Sequence, residues 1–315
     1  MRKFIIFLSG AAIATTFLFC TAYTDKDKAA SSLFNATNTK GKFITHENSF
    51  QTIYAPPIPD IIELAGEALP KDKFDALERF DRELMGISFS HGTTMANIKL
   101  AARYFPTIEP ILAKNGIPDD FKYLAVTESN LRNATSPAGA KGLWQFMPAT
   151  AREYGLEVSD EIDERYNIEK VTQAACTFLN RAYKDFGSWT LAAASYNMGG
   201  GRLKGHIKTQ KHESYYDLNM NTETSRYVPR ILAFKYIMKN PETYGFYLEK
   251  KDLYPPLPAY KTVQVSTPIE NWSDFAREHG VTYKNFKVHN PWILGDKLTN
   301  KARKTYEVKI PIDEK

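Results

Sequence analysis

Between about residues 60 and 245, apolar side chains recur at helical spacing. Phe74, Leu77, Phe80 and Leu84 fall three or four residues apart, as do Ile98, Ala101 and Ala102, and Phe105 closes that segment before Pro106. The fullest stripe is Ile168, Val171, Ala174, Ala175, Phe178, Leu179, Ala182, Tyr183 and Phe186, stopped by Gly187. This i, i+3, i+4, i+7 recurrence lines one face of an amphipathic helix. A further stripe runs through Tyr227, Ile231, Phe234, Lys235 and Ile237. Asn240-Pro241 ends it, because a residue before proline is pushed out of helical geometry. No alternating run of convincing length interrupts this region, which is therefore expected to be all-α.

After about residue 250 the pattern changes. Tyr254-Pro255-Pro256-Leu257-Pro258 reads as a stiff linker, and Tyr260 to Val265 alternates like a strand. Trp272, Phe275 and Ala276 suggest a short helix ending at Gly280, and Tyr306 to Ile310 alternates again before Pro311. A strand, helices and a closing strand within such a short stretch predict a small α+β (βααβ) module, residues 259–313, following a helical domain at 57–250.

The N-terminus adds a targeting reading. Arg2 and Lys3 precede an apolar run from Phe4 to Phe19, followed by Cys20-Thr21-Ala22 and a polar stretch. This is the layout of a secretory signal peptide, residues 1–22. The alternative is a membrane anchor, but the run falls short of the roughly 20 residues that span a bilayer. Cys20 offers a second route, lipid attachment to a membrane, although Phe19 stands where that processing favours a small residue. Residues 23–56 are polar and are expected to form a flexible linker. The only other cysteine, Cys176, lies in a helical stripe and is expected to be a small core residue. No disulfide framework follows. The net charge of +5 over 315 residues suits a polyanionic neighbourhood such as a bacterial envelope, but it selects no partner by itself.

The candidate chemistry lies between Phe121 and Gln145. A short apolar helix, Tyr123-Leu124-Ala125-Val126, runs into Glu128-Ser129-Asn130. Burial disfavours a charged carboxylate, and the negative end of a helix dipole does so more weakly. Both raise its pKa, as a general acid working near neutral pH requires.

The surrounding residues resemble the lytic transglycosylases of the goose-lysozyme-like superfamily, and most closely the membrane-bound murein transglycosylase D type. Glu128-Ser129 matches the Glu-Ser dipeptide that carries the catalytic Glu. Ser136-Pro137-Ala138-Gly139-Ala140-Lys141-Gly142-Leu143-Trp144-Gln145 matches the segment that follows it, with Trp144 in place of Met as in the D type. Ser195-Tyr196-Asn197-Met198-Gly199 and Glu223-Thr224-Ser225-Arg226-Tyr227-Val228 match the third and fourth motifs in the family's order. The resemblance covers residues 60 to 245. It implies a mainly α, lysozyme-like catalytic domain with Glu128 as the general acid and then the base. It also implies substrate-binding roles for Ser136, Gln145, Tyr196, Asn197, Glu223 and Tyr227, with Glu223 and Tyr227 bracing the back of the site. The implied reaction cuts the β-1,4 bond between N-acetylmuramic acid and N-acetylglucosamine without water. The N-acetyl group and the 6-hydroxyl of the muramic acid take the second carboxylate's usual role.

Taken residue by residue, plainer readings stay open. Ser136 suits a helix cap, Tyr196 core packing, Asn197 a helix stop, Gln145 the surface, and Glu223 the favourable N-terminal end of a helix dipole. A hydrolytic lysozyme and a non-catalytic wall-binding scaffold are the rival functions. The run Asp160, Glu161, Asp163 and Glu164 is expected to be a solvated loop, and Gly199-Gly200-Gly201 to continue the Asn197 turn. The six scattered histidines show no zinc-type pairing, so neither metal nor cofactor is expected.

The C-terminal module resembles a LysM domain through Tyr260-Lys261-Thr262-Val263, Trp272, Phe275, Ala276, Gly280, Asn290 and Ile310-Pro311. It departs from that pattern at Ser266-Thr267-Pro268 and around Pro291-Trp292. The expected partners are peptidoglycan glycan strands and not nucleic acid. The expected state is an exported monomer in the periplasm or at the outer membrane.

Overall fold

The computed structural model describes residues 53–312. The expected signal peptide, Cys20 and nearly all of the expected linker lie outside them. The described chain is mainly α, with a small strand-containing module at its C-terminal end. The helical part starts with a two-residue hairpin, β1 (Glu63–Leu64) and β2 (Glu67–Ala68). Helices α1 (Phe74–Phe89), α2 (His91–Lys114), α3 (Lys122–Ser129), α4 (Pro148–Glu153), α5 (Ile168–Phe186), α6 (Trp189–Met198), α7 (Gly200–Gln210) and α8 (Thr222–Lys239) follow. Among the described residues no helix is long and apolar enough to cross a membrane.

The expected stripes become the buried faces. In α5, Val171, Ala174, Ala175, Leu179 and Ala182 are buried with Cys176, whose thiol burial pushes up to about 12. Asn167 caps the start of α5 by accepting from Lys170 N (3.1 Å), and Gly187, at φ +67°, closes its end. In α1, Ala76, Phe80, Leu84 and Ile87 face the core, whereas Phe74, the first member of the expected stripe, is exposed.

Helix α2 corrects the expected stop before Pro106 by running through both Pro106 and Pro110. A proline removes one helix hydrogen bond and crowds the carbonyl four residues back. Here both prolines are exposed, one turn apart on a single face. Asn97, Ala101, Ile108 and Leu112 bury the opposite face.

The short helix α3 is buried nearly all round and packs between α2 and α8. Eight residues are too few to sustain a helix alone, so packing holds it. Helix α6 is anchored at its start by two side chains. Ser188 accepts from Leu191 N (3.2 Å), and Glu67 accepts from Thr190 N (3.0 Å), from Thr190 Oγ1 (2.7 Å) and from Trp189 N. A carboxylate at a helix N-terminus is favoured by the dipole.

The C-terminal module pairs β3 (Tyr260–Val265) with β4 (Tyr306–Pro311), antiparallel, with Tyr260 opposite Pro311 and Val265 opposite Tyr306. Helices α9 (Trp272–Glu278) and α10 (Tyr283–His289) lie between the strands in sequence. Trp272 stacks on Phe286 at 5.4 Å in a core shared with Val265, Ala276, Val308 and Ile310. Buried Asn290 ties α10 to β4: it donates to Phe286 O (2.9 Å) and Lys309 O (2.7 Å) and accepts from Lys309 N (2.9 Å).

The acidic run is a second correction, since of its four carboxylates only Asp160 is exposed. Asp163 is 1% and Glu164 5% exposed. Burial works to raise the Asp163 carboxyl, but hydrogen bonds from Arg165 and its charge overcome that and hold it below the usual carboxylate range. Glu164 accepts from Glu157 N (2.8 Å) and from Lys170. The run folds inward because Ile162 is buried in the module's core and Arg165 supplies the compensating charge.

Candidate active site

Glu128 occupies the last turn of α3, as expected. Asn130 ends the helix in left-handed geometry (φ +52°), with its N–H donating to Val126 O. Asn97 steadies that cap by donating to Asn130 Oδ1 (2.9 Å). The single Ser129 hydroxyl proton is shared between Ala125 O (3.1 Å) and Leu143 O (2.9 Å), the latter contact joining the end of α3 to the segment that follows.

Burial pushes the Glu128 carboxyl up to about 7. A hydrogen bond donated by the Tyr227 hydroxyl to Oε1 works against that rise. The charge of Glu223 adds to the rise and that of Arg230 opposes it. The group is thus partly protonated at neutral pH and able to give up or take a proton.

Residues 134–146 form a tight loop beside α3, held by bridges Thr135↔Lys141 and Lys141↔Phe146. Ser136 builds its first turn: the hydroxyl accepts from Ala140 N (3.0 Å) and the N–H donates to Ala140 O (2.8 Å). It caps no helix. Gln145 adopts left-handed backbone geometry (φ +48°), and its Nε2 donates to Gly142 O (2.8 Å) and Ala134 O (3.1 Å). Gly142, at φ +79°, packs so closely that a Cβ there would lie 2.0 Å from Arg165 O.

Tyr196 and Asn197 come from the last turn of α6. The Tyr196 hydroxyl donates to Trp144 O (2.7 Å), next to Gln145. Burial and the neighbouring Glu128 charge hold its pKa well above the ordinary tyrosine value. Asn197 Oδ1 accepts from Thr224 Oγ1 (2.7 Å), joining α6 to the first turn of α8. The turn lies at Gly199 alone (φ +88°). Gly200 already opens α7, which corrects the three-glycine reading.

Tyr227 is buried and bonded to Glu128. Glu223, one turn earlier on α8, has an exposed carboxylate that accepts from Arg230 (3.1 Å). Arg230 also donates to buried Glu83 (2.9 Å). The structure therefore gathers Glu128 with Tyr227 and Tyr196, places Gln145 and Ser136 on one loop, and leaves Glu223 at the solvent edge.

Sequence reasoning missed Arg230, Asn97 and Arg165. Arg230 was accessible, because it continues the Glu223–Tyr227 face at i+7. On the adjoining face of α8, a cavity of about 490 Å³ is lined by Arg79, Arg82, Met220, Thr222, Ser225 and Arg226. Its arginines are already paired, to Asp75, Glu78 and Glu83 respectively. Among the described residues no group of three or more His, Cys, Asp or Glu side chains is placed to hold a metal ion.

Residues 106–219 match the transglycosylase SLT domain family, a span containing Glu128, Ser136, Gln145, Tyr196 and Asn197 but stopping short of Glu223 and Tyr227. Residues 261–314 match the soluble lytic transglycosylase C-terminal LysM-like domain. The chain is 33% identical over 227 residues to membrane-bound lytic murein transglycosylase D of Escherichia coli (strain K12), covering 70% of this chain and 48% of that protein. It thus spans about half the length of that relative. It is also 33% identical over 140 residues to peptidoglycan transglycosylase gp16 of Escherichia phage T7, covering 42% of this chain and 10% of that one. Among solved structures, the 70 kDa soluble lytic transglycosylase SLT70 from Escherichia coli aligns with a TM-score of 0.38 at 21% identity, over 49% of this chain and 27% of that one. The chain carries a transglycosylase SLT domain and, after it, a LysM-like domain of the soluble lytic transglycosylase C-terminal type.

Proposed function

We propose that this protein is a lytic transglycosylase that cleaves the β-1,4 bond between N-acetylmuramic acid and N-acetylglucosamine in peptidoglycan and leaves 1,6-anhydromuramyl ends. The observation that carries this reading is the half-buried Glu128 carboxyl at the end of α3, which accepts from the hydroxyl of buried Tyr227 and is pushed up to about 7 by desolvation. Ordinary glycosidases use a second carboxylate. Glu223, the acidic neighbour that acts on Glu128, is exposed and paired with Arg230. The substrate supplies what the protein lacks. Protonated Glu128 gives its proton to the glycosidic oxygen, the bond from C1 to that oxygen breaks, and the N-acetyl oxygen steadies C1. The Glu128 carboxylate then takes the proton of the C6 hydroxyl, whose oxygen bonds to C1. Glu128 ends protonated, ready for the next turnover, and no water is consumed.

Gln145 has its amide nitrogen committed within the loop, so its Oε1 is the atom for a sugar hydroxyl or amide. Tyr196, whose hydroxyl donates to Trp144 O next to Gln145, and the adjoining Asn197 are assigned to orient the N-acetyl group, and Ser136 and Glu223 to contact the glycan. The name of the E. coli relative, a membrane-bound lytic murein transglycosylase, agrees with an exported, envelope-associated protein. Lipid attachment at Cys20 is part of the same reading, as is glycan binding by the LysM-like module.

Purified protein incubated with peptidoglycan sacculi is expected to release soluble fragments, and Glu128→Gln to release none. Sacculi that stay intact with the wild-type protein would sink this function and favour a wall-binding scaffold. Tyr227→Phe tests the tuning of the acid. Tyr227 donates to the charged form and so lowers the Glu128 pKa; without it the pKa rises further above 7. The alkaline limb of the pH–rate profile is expected to move to higher pH, with kcat at its maximum falling about tenfold. An unmoved limb would show that another group titrates there.

A further inference from the structure

We infer that the LysM-like module acts on the Glu128 site as a brace, and that Arg165 is the positioning residue through which it holds the loop carrying Ser136 and Gln145. The inference rests on the transglycosylase reading above. The segment 157–165 is gripped from both sides. On the module's side, Ile162 is part of the module's own core and bridges Ile293. Glu161 O accepts from Leu294 N (2.8 Å) and Gly295 N (3.2 Å). The Glu161 carboxylate accepts from Thr299 N (2.9 Å) and Thr299 Oγ1 (3.1 Å). Asp163 N donates to Trp292 O (2.8 Å), and Glu157 accepts from Lys304 (2.8 Å) and from Tyr306 OH. Trp292, where the module departs from the LysM pattern, is therefore part of the joint.

On the side of the 134–146 loop, the Arg165 guanidinium uses its whole fork. Nε and Nη2 donate to the two Asp163 oxygens (2.8 and 2.7 Å). Nη1 donates to Gly139 O (2.9 Å) and Phe146 O (3.1 Å), closing the loop near its tip and at its far end. The Arg165 carbonyl packs against Gly142 in the middle of the same loop. One residue thus fixes the loop at three points, and the residue two before it is bonded to the module. Side chains that orient a reacting group must stay within about half an ångström of their working positions, and a 1 Å error costs about a hundredfold in rate.

Two full-length variants test this. Ile162→Asp places a charge in the joint and undocks the module. Arg165→Lys keeps a positive charge beside Asp163 but loses the planar fork that reaches both carbonyls. Each is compared with the wild type for turnover of a soluble tetrasaccharide of alternating N-acetylglucosamine and N-acetylmuramic acid, and for amide hydrogen exchange of residues 134–146. The brace gives a ten- to hundredfold fall in kcat for both variants, with KM within about threefold, and faster exchange in the loop. Unchanged kcat and loop exchange, with only KM on sacculi raised, would overturn it and leave a binding arm. Should Ile162→Asp unfold the module, seen as lost protection in β3 and β4, Arg165→Lys decides alone. A wild-type protein inactive on both substrates would remove the transglycosylase reading, while the exchange comparison still settles whether Arg165 and the module hold the loop.

Discussion

Glu128→Gln is expected to lose glycan cleavage by about a thousandfold or more and, above pH 7, to be more stable than the wild type. The first part follows from the proposed role of Glu128 as the one acid/base: Glu223, the acidic neighbour that acts on it, is exposed and paired with Arg230, and general acid–base catalysis alone supplies about 10²–10⁴-fold. The second follows from burial. In the unfolded chain this carboxyl ionises near 4.5, and in the fold near 7. Below 4.5 both states hold the proton and the fold bears no penalty. As pH rises through 4.5 the unfolded chain gives up its proton more readily, so stability falls until the folded group has also ionised, above about 7. The full difference is about 3 kcal/mol. A glutamine cannot ionise, and its oxygen can still accept from Tyr227. Thermal unfolding at pH 8 should therefore place the variant several degrees above the wild type, and the two should converge below pH 4.5. Equal melting temperatures at both pH values would mean that burial does not hold the carboxyl in its neutral form.

Gly142→Ala is expected to damage fold and activity together. An added Cβ would lie 2.0 Å from Arg165 O and 2.9 Å from Arg165 C. Neither side yields cheaply. The Gly142 N–H donates to Ala134 O (3.1 Å), its carbonyl accepts from Gln145, and Arg165 is held by Asp163, Gly139 and Phe146. The positive φ adds about 1–2 kcal/mol, and with the clash the total reaches about 4 kcal/mol or more. Gly139→Ala provides the control. Its φ is +88°, but nothing lies within 4 Å of the added Cβ, so only the backbone term of about 1–2 kcal/mol remains. Denaturant midpoints for the two variants check this. Similar midpoints would show that the close approach at Gly142 is not tight.

Glu128, its short buried helix and the long stripe of α5 were legible in the sequence because each depends on local pattern: apolar period, a helix stop, a dipeptide at a helix end. Gly187 closes α5 where the pattern placed the stop. What escaped depends on which way side chains turn and which partner they meet in space, even where that partner is only a few residues away. Pro106 reads as a terminator until Pro110 is seen on the same exposed face of α2. Asp163 and Glu164 read as solvated until Arg165 and Lys170 are found against them. Glu223 matched a motif, but only its pairing with Arg230 shows that it faces solvent. Asn97 acts from α2, 33 residues before the Asn130 it holds, and no local spacing links the two.

The most direct measurement of the proposed chemistry is the mass of the muropeptides released from sacculi. Fragments lighter by one water, ending in 1,6-anhydromuramic acid, are expected if the C6 hydroxyl attacks C1 with Glu128 as its base. Fragments with reducing ends would mean that water is the nucleophile and would contradict the non-hydrolytic mechanism.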